Sequence, residues 1–312
     1  MLYLLGGIFL GWSLGANDAA NLFGAAVSSH MIRFWKAALL ASLFVILGAV
    51  LEGGRGIETL QSLSPLNLEL AILTSVAAAA TVTGMTLFRV PVSTSQAVVG
   101  AIVGAGLLQH QLHLQGLVKV AVCWVGTPLA GILFAVIIYG SLGWAYNRSP
   151  YNLFQMDQFV RIGLVIAGCY SAYALGSNNV ANVTAVFVGA GRLDIFAATL
   201  VGGLSIALGI ITFSRGVMET VGKNLVALDP YCALVVVLSG ALAVHVYTWV
   251  GVPVSSSQAV VGAVLGVGIL KGTQTIRVKT LSSILLAWFV TPLIGCLFFL
   301  LLYFVSHLRY VP

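Results

Sequence analysis

The chain has 312 residues, with 14 Lys and Arg against 8 Asp and Glu (formal net charge +6), yet only 7% of its residues are charged and 60% are hydrophobic, at a mean hydropathy of +1.06. A soluble domain carries roughly 25% charged residues, so soluble enzymes, nucleic-acid binders and disordered chains are excluded. Apolar runs of about 20 residues, the length that crosses a hydrocarbon core of roughly 30 Å, recur along the sequence and make it a polytopic membrane protein.

The first run covers 3–27; its start, Met1 to Leu10, has neither a basic region nor a small-residue cleavage site and reads as a span, not a signal peptide. Further runs follow at 36–51, 68–87, 90–109 and 117–145. After the polar connection 146–158 come 159–176, 195–213, 230–250, 252–270 and 280–305. None shows the alternation of a β-barrel, so the spanning elements are helices, and the 35 glycines suit close helix packing. Cys123, Cys169, Cys232 and Cys296 lie singly in apolar runs and read as small hydrophobes. His30, His110, His113, His245 and His307 are scattered, mostly near run ends, and read as interfacial.

The two halves repeat. Gly15-Ala16-Asn17-Asp18-Ala19-Ala20-Asn21 matches Gly176-Ser177-Asn178-Asn179-Val180-Ala181-Asn182, and Val90 to Gly100 is nearly copied by Val252 to Gly262. Arg55-Gly56 with Glu58-Thr59 answers Arg215-Gly216 with Glu219-Thr220, and Trp124 with Thr127-Pro128 answers Trp288 with Thr291-Pro292. The expected units are a first transmembrane repeat over 1–145, a linker over 146–158 and a second repeat over 159–312. Five runs per half is odd, so the second repeat enters the membrane inverted. That is the plan of many secondary transporters, whose sites lie at the midplane between repeats. Full spans would put Arg33, Lys36, Arg89, Arg148, Arg161, Arg215, Lys223, Lys271, Arg277 and Lys279 on one side, and Arg55, Lys119, Arg192 and Arg309 on the other. The richer side is cytoplasmic by the positive-inside rule, which leaves both termini outside a bacterial or archaeal cell membrane.

Two motifs carry chemistry. Asn17, Asp18 and Asn21 share one helix face, deep in the first run. A carboxylate there faces a cavity or a partner, and carboxylate and carboxamide oxygens are ligands for hard cations. Asn17, Asp18, Asn178 and Asn179 are therefore the expected cation-coupling residues, for Na⁺ or H⁺. In the second motif Pro91 and Pro253 precede Ser93, Thr94, Ser95 and Ser255, Ser256, Ser257. Proline followed by hydroxyls starts a helix, and a helix start inside an apolar run means a broken helix or a re-entrant hairpin. Its free N–H groups favour an anion. Two such starts would converge on one anion.

Together, GANDAAN with GSNNVAN and PVSTSQAVVG with PVSSSQAVVG resemble the paired signatures of the PiT inorganic phosphate transporter family, across essentially the whole chain. The resemblance implies cation-coupled oxyanion uptake, phosphate most often, by an inverted-repeat all-α fold with helical hairpins. It places Ser93, Thr94, Ser95, Gln96, Ser255, Ser256, Ser257 and Gln258, with Asn21 and Asn182, at the anion. Two features depart from the pattern: Asn179 stands where the family has a second Asp, and Gln96 and Gln258 stand where it has His. The loss of a carboxylate keeps a sulfate permease open as the alternative, because sulfate offers no proton to an acceptor. A passive anion channel is the more distant rival. No nucleophile–base pair suggests an enzyme, and no cofactor or metal is expected beyond the coupling ion. The expected partners are the oxyanion and the lipid bilayer, without nucleic acid; a homo-oligomer is left open. Arg55 and Arg215 read as connection salt bridges, and Trp124 and Trp288 as packing at proline kinks.

Overall fold

The computed structural model describes residues 2–87, 92–148, 150, 152–219, 229–272 and 278–308, and among these it is helical without a strand. In chain order the helices are α1 Leu5–Ser28, α2 Phe34–Glu52, α3 Gly54–Gln61, α4 Leu68–Leu87, α5 Thr94–Gln109 and α6 Leu114–Arg148 in the first half. The second half has α7 Leu153–Gly189, α8 Ile195–Phe213, α9 Pro230–Val250, α10 Ser256–Lys271 and α11 Val278–Leu308. Arg89, Val90 and Pro91, and the basic residues Lys223, Arg277 and Arg309, lie outside the described residues.

Local chemistry sets the helix starts. Asn152 and Gln155 form a reciprocal capping box ahead of α7, with the Asn152 side chain accepting from Gln155 N at 2.9 Å and the Gln155 side chain from Asn152 N at 3.0 Å. Asp194 caps α8, and Asp229 caps α9 ahead of Pro230 in the first turn. These caps correct the expected boundaries. Helices α6 and α7 reach into the connection expected over 146–158, and α7 runs on through the Asn motif, which the apolar run ending at 176 had left outside. The connection after α2 holds the extra short helix α3. His245, expected at an interface, lies within α9 and is half-buried among other helices.

Among the described residues, seven helices are long and apolar enough to cross a membrane. Their outer faces carry apolar side chains every three or four residues: Leu39, Leu43, Leu47 and Leu51 on α2, and Phe289, Leu293, Leu297 and Leu301 on α11. Exposed stripes of this kind suit lipid. The buried faces are rich in small residues. By contrast α5 and α10 have 16 residues each, about 24 Å of helix, less than the hydrocarbon thickness.

Both short helices return toward the face from which their hairpin entered. Lys271, at the end of α10, pairs with Asp229, at the start of α9. The Gln109 side chain, at the end of α5, donates to Pro65 O just before α4 at 2.8 Å. Helix α6 begins beside the first pair of ends, with His113 N on Leu63 O, and reaches the second hairpin near its outer end, where Tyr231 donates to Tyr139 O. The hairpins α4–α5 and α9–α10 thus enter from opposite faces, and their tips meet: Ser95 Oγ donates to Val254 O at 3.0 Å.

Equivalent helices run antiparallel, as inversion requires. Gly7 of α1 abuts Phe187 of α7, while Phe23 abuts Gly168. The halves are interleaved, each packing mainly on the other through duplicated glycines. A Cβ on Gly15 would lie 2.0 Å from Ile206 O of α8, and one on Gly176 would lie 2.0 Å from Val45 O of α2. Likewise a Cβ on Gly100 would lie 2.1 Å from Pro292 O, and one on Gly262 would lie 2.2 Å from Pro128 O. The obstacle is backbone in every case, so a methyl group fits only if two helices separate. Gly176→Ala is expected to destabilise the protein by about 3 kcal/mol or more, read as a lower Tm in detergent. Gly140→Ala, which meets nothing within 4 Å, should leave it unchanged.

Candidate functional site

The Asn/Asp motifs occupy the middle of α1 and the last third of α7 and lie against the two hairpin tips. Each short helix opens with a serine cap in extended conformation. Ser93 Oγ accepts from Gln96 N at 3.4 Å, and Ser255 Oγ accepts from Gln258 N at 3.3 Å. The remaining first-turn N–H groups, with the helix dipole behind them, form a setting that favours an anion.

The motifs bind the tips crosswise, so that each half braces the other half's hairpin. Asn21 Nδ2 donates to Ser257 Oγ at 3.3 Å, and its repeat equivalent Asn182 Nδ2 donates to Ser95 Oγ at 2.9 Å. Asp18 accepts twice, from Ser256 Oγ at 2.7 Å and from Asn17 Nδ2 at 3.0 Å. A carboxylate that is 4% exposed needs such donors to remain in place. Asn178 uses both ends of its amide on the second tip, accepting from Val254 N at 2.7 Å and donating to Val252 O at 3.1 Å. That arrangement makes Asn178 a brace for the turn.

The repeat breaks at the carboxylate. Where the first half's Asp18 receives Ser256, the equivalent pair is Asn179 and Thr94. Thr94 Oγ1 and Asn179 Nδ2 are both buried with no hydrogen-bond partner among the described residues, as are Gln96 Oε1, Gln258 Oε1 and Asn182 Oδ1. Buried polar atoms are ordinarily paired, so these five are the groups on the tips and on α7 still able to take a partner. The set is mixed in character: a hydroxyl and an amide N–H suit an anion, and three amide oxygens beside one carboxylate suit a cation. Access is also uneven. Asn17, Asn21 and Ser257 are partly exposed, whereas Asn178, Asn182 and Ser95 are buried.

All fourteen expected residues thus fall around the two tips. One contributor was missed. Thr248 Oγ1 accepts from Asn178 Nδ2 and stands beside Ser177 Oγ, both at 3.3 Å. Its signal was in the repeat, since Thr86 holds the same place ahead of the first proline motif. The arginine echo divides. Arg215 forms the expected salt bridge with Glu219 at 3.1 Å, but Arg55 donates to Trp249 O at 3.4 Å and so holds the end of α9. The kinks are stitched alike in both halves: Thr127 and Thr291, each before its proline, donate to Cys123 O and Ala287 O at 2.7 and 2.6 Å.

Comparison with known proteins agrees with this architecture. The "Putative phosphate permease MJ0630" of Methanocaldococcus jannaschii is 30% identical over 94% of this chain and 93% of its own length. The sulfate permease CysP of Bacillus subtilis is also 30% identical, over 94% of this chain and 84% of its own length. A solved structure titled the sodium-dependent phosphate transporter shares the fold, with a TM-score of 0.88 over the whole of both chains at 23% identity. The phosphate transporter family model matches twice, over residues 14–156 and 146–298, one match for each inverted half. This integral membrane protein, a transporter and not an enzyme, belongs to the phosphate transporter family.

Proposed function

We propose that the protein takes up inorganic phosphate across the membrane, coupled to Na⁺ or H⁺, by alternating access around the meeting point of the two hairpin tips. The observation that carries this reading is the set of buried polar atoms on the two tips and on α7 that have no partner among the described residues, of both donor and acceptor character, with the carboxylate of Asp18 held to the second tip by Ser256. The helix starts at Ser93–Gln96 and Ser255–Gln258, with Asn21, Asn179 and Asn182, would receive the oxyanion. Oxygens of Asp18 and Asn17, with the amide oxygens of Gln96 and Gln258, would receive the cation. A fixed negative charge beside an anion site disfavours a passive anion pore unless a cation neutralises it. The relatives' names include both phosphate and sodium, and the basic-residue bias supports both termini outside.

A second reading, sulfate uptake, is favoured by Asn179 in place of a second carboxylate and by the sulfate permease among the relatives. Purified protein in liposomes separates the readings. Labelled phosphate should accumulate only under an imposed Na⁺ or H⁺ gradient. Accumulation of sulfate alone would assign the protein to sulfate, and flux that merely equilibrates would make it a channel. Ser95→Ala with Ser257→Ala removes one hydroxyl from each tip. Hydrogen bonds to a charged ligand contribute roughly 1.5–3 kcal/mol each, so oxyanion affinity should fall about 10–150-fold for each bond lost. Unchanged affinity would reduce both hydroxyls to braces.

A further inference from the structure

Away from the hairpin tips, a group of titratable side chains lies between α2, α7 and α9. His245 of α9 sits between Tyr170 of α7 and Glu52, the last residue of α2. Its Nδ1 is 2.7 Å from the Tyr170 hydroxyl, and its Nε2 is 2.7 Å from Glu52 Oε2. The imidazole is enclosed by rings, with centroids of Tyr170, Tyr173 and Trp249 at 5.5, 5.6 and 5.0 Å. The His245 side chain is 12% exposed and that of Glu52 34%.

This geometry accepts either charge state. A neutral imidazole donates from Nε2 to the carboxylate and accepts at Nδ1 from the tyrosine; an imidazolium donates from both nitrogens. In neither state is a ring nitrogen left without a partner. The added proton converts the contact with Glu52 from a hydrogen bond between a neutral ring and a carboxylate into an ion pair. Histidine is the side chain whose ordinary charge change falls near neutral pH. A histidine needed only for packing would not require an acid on one side and a hydroxyl on the other.

The position links solvent to the tips. A cavity of about 290 Å³ is lined by Glu52, Arg55, Glu58, Thr248 and Trp249, among others, so the carboxylate opens onto it. Thr248 lies one turn beyond His245 on α9 and bonds Asn178, which in turn holds the backbone at Val252 and Val254. Other charged or titratable groups also face the triad. Tyr173 of α7 faces Glu52, Arg55 and Glu58 of α3 stand across the cavity, and Lys119 of α6 donates to Val250 O at the end of α9.

We propose that Glu52, His245 and Tyr170 form a proton-binding site, in which a proton shared by the imidazole and Glu52 fastens α2 to α9 and, through Thr248 and Asn178, sets the hairpin tip. Its consequence for transport rests on the oxyanion-uptake reading. The bound ligand is a proton, taken up from the cavity side, and it tightens the grip of α2 on the hairpin that carries Ser255–Gln258.

The test compares wild type, His245→Gln and Glu52→Gln in liposomes at fixed Na⁺, with phosphate and sulfate, from pH 5.5 to about 8.5, the range in which histidine titrates. Phosphate changes its own protonation over this range, but every protein sees the same mixture, so differences between profiles report the protein. Wild-type uptake should change by up to about tenfold per pH unit beside its midpoint, as one titrating site allows, and His245→Gln should flatten that change. Glu52→Gln removes the anionic partner and should give a profile that no longer superimposes on that of wild type. Parallel profiles for wild type and His245→Gln would overturn the proposal, since a structural role lowers uptake equally at every pH. If wild type moves neither oxyanion at any pH, the uptake reading fails, and the triad is judged by NMR of protein labelled with ¹⁵N at histidine. The signal absent from His245→Gln should titrate, with a midpoint that differs in Glu52→Gln. An unchanged midpoint, or no titration, would overturn the proposal by itself.

Discussion

Asp18→Asn is expected to reduce gradient-driven uptake at least about 100-fold, the scale set by losing the charge-assisted bonds that one buried carboxylate makes. Asp18 is the single acidic residue in either Asn/Asp motif. It lies halfway along α1, is buried, and takes the hydroxyl of Ser256 on one oxygen and the amide of Asn17 on the other. Asparagine has the same shape and still offers Ser256 an acceptor, so the hairpin tip stays attached and the fold survives. What disappears is the negative charge. A cation then meets only neutral oxygens, from Asn17, Gln96 and Gln258, and a proton finds no carboxylate. The measurement is labelled-anion uptake in liposomes under a Na⁺ or H⁺ gradient, with Tm in detergent as the control for folding. Concentrative uptake at the wild-type rate by a folded Asp18→Asn protein would remove this carboxylate from the mechanism.

Asn179→Asp should change which oxyanion is preferred. Asn179 is the inverted equivalent of Asp18, and its Nδ2 has no partner among the described residues, nor has the hydroxyl of neighbouring Thr94 in sequence-equivalent place to Ser256. The substitution replaces an unsatisfied donor with an acceptor at the place that Asp18 holds in the other half. Phosphate near neutral pH retains a proton that this new carboxylate can accept; sulfate does not, and meets only repulsion. The ratio of phosphate to sulfate uptake should rise by about tenfold or more, the effect of one hydrogen bond to a charged group gained by one ligand and denied to the other. The rise should be larger at lower pH, where more of the phosphate carries the extra proton. Because a second carboxylate can also recruit a second cation, Na⁺ is varied in the same assay. A shift toward sulfate at every Na⁺ concentration would place position 179 away from the anion.

The sequence by itself determined the membrane class, the inverted duplication and the motifs that gather at the two hairpin tips. Each rests on a local signal. Burying charge in hydrocarbon is so costly that 7% charged residues leave no soluble alternative. An odd number of runs per repeat forces inversion, and hydroxyls after a proline mark a helix start wherever they occur. Helix ends were less legible: α7 continues through Asn178, Asn179 and Asn182, and the bonds that Asn178 and Asn182 make there go to hairpins remote in the chain. Only the tertiary structure decided who holds whom. That Asn21 reaches Ser257 and Asn182 reaches Ser95, that Gly176 admits the backbone of Val45, and that Glu52, Tyr170 and His245 form one cluster all depend on helices far apart in sequence. Two antiparallel, interleaved copies bring such residues together through packing and hydrogen bonding across the bundle, and neither leaves a periodicity or a spacing that can be read along the chain.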